Sequence, residues 1–381
     1  MIQYCKSCIY PNTKPDLFFN EDGICSACIA YSKRKEVNWK ERKTEFIKIM
    51  DSYKTKNNWD CIVPVSGGKD STYQVYKLKQ LGYNPLCVCV STCDLTDIGR
   101  KNIENIKSLN VDLIEFSVKK NIRRKLNKMG LEIVGDISWP EHISIFTIPV
   151  SIAVKFNIKI IVWGECPQNE YGGPSTSQEN NILDRKWLEN FGGLIGLRKT
   201  DIVDFSNNEI NINDIIPYEY PTDDELKKIG VSGIFLGYFF PWSGISNAII
   251  SESLGFTTYN KFVEGSACNY ENLDNYQTGI HDYFKYLKFG FGRATDILCN
   301  YIRRGIISRE DAIEIVKIHD GYYPSSYLGK TINNILDNID MTVEQFDKIC
   351  DQNTNINLFQ LDKDNNLKKI NNKPILRYVI S

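Results

Sequence analysis

The chain has 381 residues, and at a usual domain size of about 150 residues this suggests two or three domains with ample length for a buried core. Hydrophobic residues make up 42% and charged residues 24%, which excludes wholesale disorder and coiled coil. With 46 Lys+Arg against 47 Asp+Glu the formal charge is -1, so no general attraction to nucleic acid or anionic lipid follows.

The opening segment, MIQYCKSCIY, lacks the basic, apolar and cleavage regions of a secretory leader, and a cytoplasmic location is expected. Twelve cysteines spread through so long a chain then read as reduced thiols or metal ligands rather than disulfides. Residues 1–32 form the first unit, too short to bury a core unaided. Its two pairs, Cys5-x-x-Cys8 and Cys25-x-x-Cys28, have the spacing of a four-thiolate zinc site, because a two-residue gap lets both sulfurs of a pair face one tetrahedral ion. With four thiolates no open coordination position remains, so the zinc is read as structural; a rubredoxin-like iron site and unligated thiols are the alternatives.

Residues 33–205 form the second unit. A charged stretch, Tyr31 to Lys56, carries apolar residues at helical spacing and suits a surface helix. Strands are predicted at Asp60–Val65, Leu86–Val90, Asp112–Phe116 and Lys159–Trp163, alternating with helical patterns at Tyr73–Leu81, Ile98–Leu109, Lys120–Met129 and His142–Phe156. That alternation predicts an α/β fold with a doubly wound parallel sheet. The Gly-, Asn- and Gln-rich stretch from Gly164 to Lys199 is too long for an ordinary connection and reads as functional. Residues 206–381 are expected to be largely helical, with helix starts at Ala294, Ser308 and Thr342 and a small terminal hairpin. The uncharged run Val231–Ile250 has the length of a membrane span, but Pro241, three glycines, Asn247 and the lack of a flanking basic cluster argue against one.

The chemistry is densest at Ser66-Gly-Gly-Lys-Asp-Ser71, between a predicted strand and a predicted helix, where backbone amides and a helix N-terminus can cradle anionic oxygens. Gly67 and Gly68 allow close approach, Ser66 and Ser71 supply hydroxyls, and Lys69 and Asp70 suit phosphate and magnesium. It is not a Walker A loop, since Val63 stands where its first glycine would be and Asp70 where its Ser/Thr would be. At the carboxyl ends of the predicted strands, Val90–Thr92, including Ser91, should border a base, and Gly164-Glu165 should approach the α-phosphate. Glu165, Asn169 and Glu170 are candidates for magnesium, ammonia or a sugar hydroxyl. Arg185, Arg198, Lys288 and Arg293 are candidates for clamping carboxylate or phosphate. His281 and His319 are weaker candidates for proton transfer. Cys87 and Cys89 share one strand face, which favours simple burial, with Cys93 nearby; an iron–sulfur cluster is the alternative. The basic run Lys119-Lys120, Arg123-Arg124-Lys125 and Lys128 reads as a solvated helix face, and is the one feature favouring RNA.

The hexapeptide after an apolar strand resembles the SGGxDS signature of the PP-loop ATP pyrophosphatases, which cleave ATP between the α and β phosphates. Three further stretches extend the likeness: Trp163–Gly173 with Leu183-Asp-Arg185, Phe235–Trp242, and His281–Asp296, together with His319-Asp-Gly321 and the N-terminal cysteine pairs. They resemble the N-acetyl sugar amidotransferases of surface-polysaccharide and flagellin-glycan biosynthesis. Ser243 and Cys166 depart from that family's pattern, which has a charged and a polar residue there. The resemblance implies an enzyme in lipopolysaccharide or flagellin-glycan synthesis that uses ATP, Mg2+ and a structural Zn2+. It would adenylate the N-acetyl oxygen of an acetamido sugar, expected to be nucleotide-activated, and displace AMP with ammonia to give an acetamidino sugar. Asp70, Lys69, Glu165 and His281 would then be catalytic, with Ser66, Gly67, Gly68, Asp70, Ser71, Ser91, Gly164, Lys288 and Arg293 holding the nucleotide. No cysteine has a glutaminase setting, and Ile2 follows the initiator, so ammonia is expected from a partner resembling the histidine-biosynthesis glutaminase and cyclase subunits. The loop Gly164–Lys199 and the aromatic stretch Phe235–Trp242 would wall the intermediate from water. A PP-loop tRNA thiolase is the alternative; neither nucleic acid nor a membrane is the expected partner of the first reading.

Overall fold

The structure, a computed structural model, describes residues 2–166, 170, 203, 209–378 and 380. Five strands form one parallel sheet in the order β3-β2-β1-β4-β5. They are β1 (Cys61–Val65), β2 (Pro85–Val90), β3 (Asp112–Phe116), β4 (Ile160–Trp163) and β5 (Ser232–Phe235). Side chains alternate across the pleat. Val63, Cys87, Cys89, Ile160 and Val162 pack on one face beneath Phe46, Met50, Val75 and Leu78. Ile62, Leu86, Val88, Ile161 and Trp163 pack on the other, against Ile148, Ile152 and Ala153. Burial on both faces explains why β1 and β2 are continuous apolar runs, whereas the edge strand β3 carries Asp112 and Glu115.

Six helices precede or interleave the first four strands: α1 (Ser26–Lys33), α2 (Trp39–Tyr53), α3 (Lys69–Gln80), α4 (Asp97–Ser108), α5 (Lys120–Met129) and α6 (Trp139–Lys155). The predicted strands and helices of residues 58–165 fall within a few residues of these. The expected boundary at 205/206 does not coincide with an edge of the sheet: β5 and the helix Gly244–Ser253, whose Ser251 hydroxyl donates to the Lys69 carbonyl at 2.7 Å, continue the α/β unit. β5 escaped prediction because it is four residues long, contains Gly233 and lies in an apolar run with no polar alternation. That same run, Val231–Ile250, is divided among β5 and two short helices, and no helix among the described residues is long and apolar enough to cross a membrane.

The C-terminal region is mainly helical, with Thr278–Phe289, Arg293–Arg303, Arg309–His319 and Val343–Asn353 as its longer helices. Thr342 and Gln345 form a capping box, and Ser308 caps through the amide of Asp311. Two two-stranded hairpins, Ser326–Thr331 and Lys369–Pro374, complete it.

The N-terminal cysteine module docks on this region and not on the sheet. Tyr10 donates to Asp296 at 2.9 Å, the Arg309 guanidinium reaches the Cys8 carbonyl at 3.1 Å, and Cys5, Cys8, Cys25 and Cys28 share a buried cluster with Leu298 and Cys299.

Candidate functional site

The central strand β1 pairs with β2 over five residues, but its ladder to β4 is recorded only at Ile62↔Ile161. Pro64 has no N–H to give to that ladder, and it is between β1 and β4 that the strand order reverses direction. A cleft of about 470 Å³ opens there, bounded by Ser66, Asp70 and Ser71 after β1, Val90–Thr92 after β2 and Gly164-Glu165 after β4. Ser66, Asp70, Ser71, Ser91, Gly164, Glu165, His281 and Arg293, all expected from sequence, line this one space.

The turn 66–68 is shaped by its glycines. Gly67 has φ +83°, and a Cβ there would lie 2.8 Å from the amide nitrogen of Ile103 in α4. Gly68 precedes the first turn of α3, its carbonyl accepting from the Ser71 hydroxyl at 3.0 Å. A second, smaller space of about 140 Å³ lies in front of this turn, closed opposite by Tyr270–Asp274. Turn and helix N-terminus thus face a cavity sized for phosphate groups.

Lys69 is buried, and its ammonium bridges Asp70 and Glu271, each at 2.7 Å. Burial opposes its charge, but those two carboxylates outweigh it and raise its pKa. Asp70 also accepts from Asn247 at 2.8 Å. The Glu165 carboxyl is pushed up to about 8, first by burial and then by the charges of Asp70 and Glu170. Glu170 is otherwise engaged: its carboxylate binds Arg34 and, at 2.6 Å, Arg304. That pairing counts against the expected magnesium or ammonia role for Glu170. Arg293 holds Asp282 at 2.9 Å on the cleft's far wall.

Lys288 stands apart; it donates to the Val134 carbonyl at 2.7 Å and lines neither space, so the structure does not bring this expected ligand to the nucleotide loop. His319 packs beside Phe262 in the C-terminal region, also away from the loop. Asn169, Arg185 and Arg198, and most of the loop Gly164–Lys199, lie outside the described residues.

Of the aromatic stretch, Trp242 lines a further small space with Lys69, Asp70 and Glu165 and packs on Tyr73 with ring centroids 5.5 Å apart, whereas Phe239 and Phe240 are core partners of Phe46. Cys87 and Cys89 are buried in that same core, which pushes both thiols up to about 12. Their setting is that of packed thiols.

The basic face of α5 is solvated at Lys119, Lys120 and Lys125 but not at Arg123. Arg123 is buried and pairs with Glu141 at 3.1 Å, Lys125 pairs with Glu209 at 2.9 Å, and Lys128 donates to the Asp340 carbonyl at 3.0 Å.

Several site residues were missed. Glu271, Asn272, Asp274 and Asn247 come from loops and helix ends that carry no local motif, and only the fold brings them to residues 66–71. Glu141 and His142 sit in a helix read simply as a cover for the sheet, and Arg123 in one read as a solvated basic face.

In the cysteine module all four ligand atoms lie within 4.8 Å of one another. The Cys8–Cys25 and Cys5–Cys28 sulfurs are 3.6 and 4.0 Å apart, close to the edge of about 3.8 Å that a tetrahedron with Zn–S bonds of about 2.3 Å requires. Backbone amides of Cys8 and Cys25 point at Cys5 Sγ from 3.4 and 3.2 Å. The donor set fits a structural thiolate-bound metal.

No curated protein matches the chain. Among solved structures, NMN synthetase from Francisella tularensis is similar at 13% identity over 51% of this chain and 92% of that one, with a TM-score of 0.27. A "predicted subunit of tRNA methyltransferase" from Methanocaldococcus jannaschii is similar at 13% identity over 58% and 84%, also with a TM-score of 0.27. These likenesses are too slight to bear on the site. The segment that closes the phosphate-sized space and carries His281 and Arg293, residues 256–372, matches the family model described as LPS biosynthesis protein WbpG-like, C-terminal domain.

Proposed function

We propose that this chain is an ATP-dependent amidotransferase that converts the N-acetyl group of an acetamido sugar, as in lipopolysaccharide synthesis, to an acetamidino group. The observation that carries the reading is the Ser66–Ser71 turn at the carboxyl end of β1, with a cleft on one side and a phosphate-sized space on the other. The match of residues 256–372 to a family named for LPS biosynthesis supports the substrate class.

In this reading the adenine borders Val90, Ser91 and Thr92, and the phosphates lie against Ser66, Gly67, Gly68 and Ser71. Asp70 offers hard oxygen donors on the cleft and fits Mg2+, which would neutralise charge on the departing pyrophosphate. Lys69, held between Asp70 and Glu271, keeps a fixed positive charge beside the turn. The amide oxygen attacks the α-phosphorus as the bond to pyrophosphate breaks. Ammonia then adds to the imidate carbon, and AMP leaves with the original acetyl oxygen. Glu165, protonated through neutral pH, is placed to exchange a proton with the entering nitrogen. Arg293 and His281 are assigned to the sugar side of the cleft. A structural zinc in the cysteine module would anchor the helix Arg293–Arg303 from behind.

The test is incubation with ATP, ammonium and candidate acetamido sugars, free and nucleotide-linked, followed by mass spectrometry and product assay. AMP, pyrophosphate and a sugar lighter by the difference between O and NH support the reading, as does their loss in Asp70→Asn. ADP as product, or turnover independent of any acetamido sugar, refutes it.

A further inference from the structure

We infer that Asp136, His142 and His281 form a second metal site, binding one divalent first-row transition ion with positions left open toward the cleft. Three donors from the starts of two helices converge here. Asp136 lies in the turn before α6, His142 in the first turn of α6, and His281 in the first turn of the helix Thr278–Phe289. One ligand atom from each lies within 4.8 Å of the others. His281 Nδ1 is 2.7 Å from Asp136 Oδ1 and His142 Nδ1 is 3.1 Å from Asp136 Oδ2.

A ring nitrogen facing a carboxylate oxygen needs a proton or a metal ion between them, since two lone pairs face to face repel. The two imidazoles meet nearly at right angles, 78°, with centroids 5.1 Å apart, and both present Nδ1 to the one carboxylate of Asp136. Asp136 is oriented from behind by the Ser138 amide at 2.9 Å, the kind of support a ligating carboxylate receives. Glu141, a neighbouring carboxylate, is engaged by Arg123 and Asn127 and is not needed as a ligand. Two imidazoles and one carboxylate suit zinc, cobalt, manganese or iron(II) better than magnesium or calcium. Both histidines line the cleft that holds Ser66 and Asp70, so the open positions face whatever is bound there. The inference does not rest on the proposed reaction, because metal uptake is read without turnover.

The experiment is a Co2+ titration of the full chain purified with its thiolate site loaded, followed by absorption and calorimetry. One further equivalent should bind without a new sulfur-to-cobalt charge-transfer band. Its affinity should fall by about 10–100-fold in His281→Gln, His142→Gln and Asp136→Asn, while the thiolate-bound metal is retained. Absence of that equivalent, or uptake unchanged in the variants, overturns the site. Should a variant fail to fold, the wild-type chain decides: it has only three histidines. Co2+ should protect His142 and His281, but not His319, from diethyl pyrocarbonate. Equal labelling of all three with and without metal refutes the inference.

Discussion

Gly67→Ala tests the geometry on which the phosphate turn depends. Two costs are added at this position. An L-residue at φ +83° sits in the left-handed region, a strain of about 1–2 kcal/mol, partly offset by the reduced freedom of the unfolded chain. The new Cβ would also stand 2.8 and 2.9 Å from backbone atoms of Ile103 and Asn102, which belong to a packed helix and cannot swing aside. Forcing a methyl into such a place costs about 1–3 kcal/mol. The expected loss is therefore about 2–4 kcal/mol, the sum of the two after the offset. Two neighbours separate the contributions. Gly82 has the same φ of +83° with nothing within 4 Å of its Cβ, so Gly82→Ala reports strain alone. Gly68 has φ -68°, and its Cβ would meet only the Ser66 hydroxyl, at 3.3 Å, so Gly68→Ala reports local crowding without strain. Equilibrium urea unfolding of the three variants, followed by tryptophan fluorescence, gives the comparison. If Gly67→Ala is no more costly than Gly82→Ala, then α4 does not press on the turn, and the close approach that shapes the phosphate cradle is wrong.

Glu165, with its pKa raised to about 8, should make the folded state lose stability as pH rises. The carboxyl's contribution is complete below its unfolded value of about 4.3 and is lost as pH climbs through the folded value, because the buried site must then hold a charge. Melting curves between those limits should slope less in Glu165→Gln than in wild type; parallel slopes would contradict the shift. Arg123→Ala leaves Glu141 buried without its partner and should cost about 3–5 kcal/mol, against no more than about 1 kcal/mol for Arg100→Ala, whose Glu104 pairing is exposed. Comparable melting temperatures for the two variants would remove the buried pair from the argument. Cys8→Ser should lower thiolate-bound zinc, measured by elemental analysis, and expose the face of Arg293–Arg303 to proteolysis. Unchanged zinc content and an unchanged cleavage pattern would refute a thiolate site.

Local sequence determined a good deal. β1 through β4 and their helices were legible because the inner strands β1, β2 and β4 are continuous apolar runs, the edge strand β3 alternates, and each helix presents a periodic apolar side, signals that a window of ten or so residues contains in full. The cysteine quartet and the Ser66–Ser71 turn were legible for a related reason: ligand knuckles and phosphate turns are built from neighbours in the chain. Tertiary structure decided the rest. The short strand β5 gains its identity only by lying beside β4. Lys69 looked free to meet phosphate, yet Glu271, some two hundred residues away, holds it. Arg123 looked like a solvated surface charge until α6 laid Glu141 against it. The same holds for Asp136, His142 and His281, whose meeting is set by where two helices begin in space. Periodicity and short motifs record what the backbone does with its near neighbours. Electrostatic partners and converging ligands act through distance in space, and a linear pattern carries no measure of that.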